Sequence, residues 1–158
     1  MNLYELGKYK NTVISVICGN DDICKAIFGD SYNVSDIDDE LFGEQVLPYL
    51  FVPGAQEDAK VYVCVETAIP RTIGFELKDV KLIVQVVCHK DLIKYRKKGY
   101  SGNRTDILSD MVNRQLNSSR DFGIGRLKLE SVDIINTDKF YGRSMIYKCP
   151  DFNVRDKL

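Results

Sequence analysis

Lys81-Leu82-Ile83-Val84-Gln85-Val86-Val87-Cys88-His89 is the stretch on which the fold turns. At a period of two, Leu82, Val84, Val86 and Cys88 share one face and Ile83, Gln85, Val87 and His89 the other. One face is wholly apolar and the second mostly so. That pattern predicts a central strand covered on both sides. Three closely spaced valines argue against a helix, where β-branched side chains lose rotamer freedom.

The flanking segments read as partners of this strand. Lys60 to Thr67 alternates, with Val61, Val63 and Val65 on one face and Tyr62, Cys64 and Glu66 on the other. Ala68 to Asp79, with Pro70 and Gly74, reads as a connection that widens into the central strand near Leu77. Together they predict an antiparallel hairpin with a long tip. Further on, Leu127 to Ile135 predicts a strand with an irregularity at Ser131, and Tyr141 to Cys149 an antiparallel return that Pro150 ends.

Helical spacing appears twice. Leu3, Leu6, Tyr9, Val13 and Ile17 recur every three or four residues, predicting a helix over residues 2 to 18. Gly19-Asn20-Asp21-Asp22 supplies a stop and then an N-cap for a short second helix facing inward through Ile23, Ile27 and Phe28. Asn103 to Asn117 is the clearest helix, capped by Asn103 and striped by Ile107, Leu108, Met111, Val112 and Leu116. Helices, two strands, a helix and two strands predict an α+β fold. Its mostly antiparallel four-stranded sheet would be packed with the N-terminal helix and the helix near residues 103–117.

The chain has 158 residues, 44% apolar and 28% charged, which suits one soluble domain spanning 1–158. No apolar run approaches the roughly 18 residues of a membrane span. The N-terminus lacks the basic-then-apolar layout of a signal peptide, so a cytoplasmic location is expected. Five cysteines without a Cys-x-x-Cys pair read as free thiols, and with a single histidine no metal site is expected. Charge is uneven: residues 1–60 carry 4 Lys/Arg against 11 Asp/Glu, and residues 61–158 carry 18 against 12. Such polarity can help copies pack head to tail, or can merge into one mixed surface on folding.

Two segments stand outside the regular pattern. Residues 29–58 form a long acidic arm, in which Asp36, Asp38, Asp39 and Glu40 lack calcium-loop spacing. Phe42, Val46, Leu47, Tyr49, Leu50, Phe51 and Val52 can lie against the body, with Pro48 and Pro53 keeping them extended. The second segment is basic and aromatic: Lys90, Lys94, Tyr95, Arg96, Lys97, Lys98, Tyr100 and Arg104. It reads either as a protruding loop for solubility or a protein neighbour, or as a nucleic-acid contact.

No catalytic constellation emerges. His89 is the sole imidazole and has no nucleophile motif beside it. Gly123-Ile124-Gly125-Arg126 precedes a strand instead of opening a helix, which excludes a phosphate loop. No enzymatic activity and no cofactor are expected.

Several short motifs carry a resemblance. Pro48-Tyr49-Leu50-Phe51-Val52-Pro53 precedes the first strand, and a strand ends in Val87-Cys88-His89. Arg104-Thr105-Asp106-Ile107-Leu108 opens the helix, Phe122-Gly123-Ile124-Gly125 follows it, and Tyr141-Gly142-Arg143 lies in the last hairpin. With this layout, roughly residues 48 to 153 resemble the tail terminator (tail completion) proteins of long-tailed phages and related contractile particles. The resemblance implies a homo-hexameric ring that caps the tail tube, ends its polymerisation and meets the head connector or sheath protein. It also implies assembly in the host cytoplasm and a place in the tail or neck of a particle. Another neck protein, for head closure or tube-like, is the neighbouring reading. A small nucleic-acid-binding module using residues 90–104 is the reading from a different class. On either, Lys90, Lys94, Arg96, Lys97, Lys98 and Arg104 are the interaction residues, and a ring would allow them transient contact with DNA in its channel.

Overall fold

A computed structural model of the chain describes residues 3–30, 44–50, 58–123 and 125–153. Among these residues, three helices lie on one face of a five-stranded sheet. The helices are α1 (Tyr4–Cys18), α2 (Asp21–Phe28) and α3 (Arg104–Leu116). The strands are β1 (Val46–Leu47), β2 (Val61–Ile73), β3 (Leu77–His89), β4 (Lys128–Asn136) and β5 (Phe140–Phe152), in the spatial order β1-β2-β3-β5-β4. The class is α+β, as the periodicities predict.

The sheet has one strand more than expected, and it is mixed. Val46 and Leu47 run parallel to β2, opposite Val63 and Cys64. Two residues are too few to show a period, so nothing in the pattern distinguishes this strand from a loop. It is fastened by its neighbours: Val63 N–H donates to Gln45 O across 2.7 Å, and Gln45 Nε2 donates to Ile27 O and Val61 O. This is the described part of the acidic arm, together with its ends. The remainder of the predicted arm falls in residues 31–43 and 51–57, outside the described residues.

β3 is the central strand, antiparallel to β2 on one side and β5 on the other. Leu82, Val84, Val86 and Cys88 are wholly buried against all three helices, among Val13, Ile17, Ile23, Ile107, Leu108 and Val112. The expected cover on the second face is largely missing among the described residues. Ile83, Gln85 and His89 are half-exposed there, and only Val87 joins a small cluster with Leu47, Tyr62, Cys64 and Phe140. All three helices go to the same face, so an apolar pattern on both sides does not bring two layers.

The strands are also longer than their alternation suggests. The expected connection from Ala68 to Asp79 is mostly ladder, with Arg71, Thr72 and Ile73 opposite Asp79, Lys78 and Leu77. Pro70 falls where the register shifts between Ala68 and Arg71, a place that tolerates a missing N–H. Gly74, at φ +62°, makes the tight turn. Nor does Pro150 end β5, since the ladder continues to Phe152 opposite Leu77. β4 pairs no further than Lys148, so beyond it β5 is an edge on that side, where proline is permitted. The irregularity expected at Ser131 is present as a register shift between Leu129 and Ser131.

The helix signals translate directly. Asn20 Oδ1 accepts from Ile23 N–H at 3.1 Å, and Asn103 and Asp106 form a reciprocal capping box on α3. Leu3, expected inside α1, precedes it and is exposed, while Tyr9, Val13, Ile14 and Ile17 are buried.

Candidate functional site

The basic segment leaves the end of β3 and crosses to α3 as a short 3-10 turn, Lys90–Leu92, followed by irregular chain. His89 Nδ1 accepts from Asp91 N–H at 3.1 Å, and Lys90 N–H donates to Lys139 O at 2.8 Å. His89 therefore serves as the cap of this turn, with its ring edge-on to Phe140 at 5.2 Å.

The six cations named from the sequence divide into two sets. Arg104 is a structural tie. Its Nε donates to Leu92 O and its Nη1 to Ala26 O, each at 2.8 Å, while the guanidinium stacks on Tyr95 at 4.3 Å. Lys97 is half-buried and reaches Asp22 at 2.8 Å, joining the loop to α2. That partner raises the Lys97 ammonium above the usual lysine range through a hydrogen bond. Tyr100 is held in turn by Arg114, 4.4 Å above its ring.

Lys90, Lys94, Arg96 and Lys98 form the other set. All four are exposed, and no ion pair engages them among the described residues. From Lys94 to Lys98 exposure alternates: Lys94, Arg96 and Lys98 turn outward, Tyr95 and Lys97 turn to the body. The segment is therefore laid along the protein and does not protrude as a loose loop. Clefts of about 690 Å³ and 530 Å³ flank it and share Tyr95, Arg96 and Gly102.

A buried charge cluster sits at the opposite end of the sheet. The Lys78 ammonium is fully buried between Glu5 and Asp151, the second at 3.9 Å, and lies 5.9 Å from the Tyr9 ring centre. Tyr9 donates its hydroxyl to Asp151, and burial followed by that carboxylate pushes the phenol well above its ordinary range. The sequence held a signal for this cluster, because Lys78 is in phase with Val80 and Leu82 on the covered face of β3. The network ties α1 to β3 and β5. Among the described residues, no group of three His, Cys, Asp or Glu is placed to hold a metal, and no helix is long and apolar enough to cross a membrane.

Comparison with known proteins places this scaffold. The YomW family model matches residues 20–149, from the cap of α2 to the end of the β5 core. The chain belongs to the YomW family. The family carries a phage-derived name, which points to a phage-related protein. No curated protein matches the chain. The YomW match spans the two flanking helices, the whole hairpin and the basic segment, leaving α1 before it.

Proposed function

We propose that this YomW-family chain is a structural subunit of a phage or phage-like tail, a terminator that forms a ring on the tail tube and ends its polymerisation. The observation that carries the reading is the incompletely covered sheet. Among the described residues one face lies open around Ile83, Gln85, Ser144 and Ile146, and β4 is a nine-residue edge bearing exposed Val132 and Ile134. Long unpaired edges with apolar side chains are hazards in a lone molecule and suit one that meets copies of itself. The uneven charge along the chain and the family's phage-derived name support the same reading. In it the tail tube protein lies on one side of the ring and the head connector or sheath protein on the other.

The test is the mass of the purified chain, alone and with tail tubes, together with electron micrographs of both. A ring, six-fold on the resemblance, that sits at tube ends is the expected result. A chain that stays monomeric at high concentration and never associates with tubes overturns the proposal.

A further inference from the structure

We infer that Lys94, Arg96 and Lys98 form a contact surface for the phosphate backbone of duplex nucleic acid. Residues 90–104 carry six cations against one carboxylate. Lys97 and Arg104 are committed to Asp22, Leu92 and Ala26, so the charge left for a partner is concentrated in the outward residues. Lys94, Arg96 and Lys98 alternate with Tyr95 and Lys97, which turn to the body, so the three outward cations are presented together to solvent. Duplex DNA presents a phosphate about every 3.4 Å of axis along each strand, a dense row of negative charge for such a cluster to meet.

The aromatic residues decide which part of the nucleic acid is met. Tyr95 is covered by the Arg104 guanidinium and Tyr100 by that of Arg114. Each ring is thus engaged by a guanidinium and packs against the core, which disfavours the stacking that single-strand binders use. Nor does the N-terminus of α3 compete for the anion, because Asp106 and Asn103 already occupy it. What remains is a row of cations on a braced support, suited to phosphates and indifferent to sequence. The base of the row is rigid, tied to α2 through Lys97 and Arg104, so the contact requires little ordering of the backbone.

The inference is independent of ring formation, and its experiment reads binding whatever the oligomeric state. The purified full-length chain is titrated into a short labelled duplex of mixed sequence, with anisotropy followed over a range of salt. Three phosphate contacts predict a slope of about −2.7 in log affinity against log salt, or about a 40-fold loss between 50 and 200 mM. Replacing Lys94, Arg96 and Lys98 together with alanine is expected to abolish binding at low salt while leaving the melting curve unchanged. Lys94→Arg with Lys98→Arg is expected to retain it, and Lys81→Ala with Lys148→Ala, on the open sheet face, to leave it unaltered. Absence of low-salt binding, or equal binding by the triple alanine variant, overturns the inference. So does competition by polyglutamate as effective as by unlabelled duplex, which would assign the row to an acidic protein.

Discussion

The Arg104 guanidinium donates to the Ala26 carbonyl oxygen across 2.8 Å, joining the first residue of α3 to the last turn of α2. A residue that reads as part of a basic interaction loop thus holds two helices and the loop together. Its second donor goes to Leu92 O, so two carbonyls depend on one side chain.

Arg104→Ala should therefore be a stability variant. Removing it leaves the carbonyl oxygens of Ala26 and Leu92 without this donor and uncovers Tyr95. Losing charged hydrogen bonds of this kind costs about 1.5–3 kcal/mol each, less where water can replace the donor. A urea midpoint shift of that order is expected, whereas Lys94→Ala should move the midpoint by less than about 0.5 kcal/mol equivalent. Equal midpoints for the two variants would show that the Arg104 tie is unimportant.

Gly142 sits directly against the Val86–Val87 backbone, in the register that puts it opposite Val87. A Cβ there would collide with the Val86 carbonyl oxygen, part of a strand that cannot swing aside. Gly142→Ala should separate β3 from β5 locally and cost at least the roughly 1–3 kcal/mol typical of overpacking. Thermal melting checks this, and a variant as stable as the parent would contradict the close approach.

Val84 is wholly buried, opposite Val65 and Met145 in the middle of the covered face. Val84→Asp places a carboxylate where no partner can reach it. The penalty of several kcal/mol rivals a whole domain's stability of about 5–15 kcal/mol. The expected outcome is insoluble or unfolded protein by circular dichroism. A soluble variant with parental melting would displace β3 from the centre of the fold.

Alkaline conditions should destabilise the chain earlier than its carboxylate and lysine content suggests. Burial pushes the Cys88 thiol up to about 11 from its ordinary 9, and it pushes the Tyr9 and Tyr147 phenols above 10. These groups keep their protons longer when folded than when unfolded. The unfolded chain therefore binds fewer protons above each ordinary pKa, and stability falls as pH rises. The contribution of Cys88 is complete below pH 9 and is lost between about 9 and 11. Denaturant midpoints measured from pH 8 to 11 should decline, and Cys88→Val should flatten the first part of that decline. A flat profile in the parent chain would refute the assignment.

Much of this architecture is legible in local pattern. The β3 alternation, the Asn20 and Asn103 caps and the irregularity at Ser131 all describe interactions within a few residues, which local chemistry settles. Partnership between distant segments is different in kind. Whether Ile83 and Gln85 face a second layer depends on where three helices dock, and a two-residue strand at Val46 exists only because β2 offers an edge beside it. The same distinction runs through the basic segment: its charge is visible in order of residues, but Lys97 and Arg104 are spent on Asp22 and Ala26 because folding brings residues some 75 positions apart into contact. Local periodicity and capping are written in neighbouring side chains. Which charges stay free, and which strands stay uncovered, are decided by long-range packing, where the partners come from parts of the chain that no short window contains.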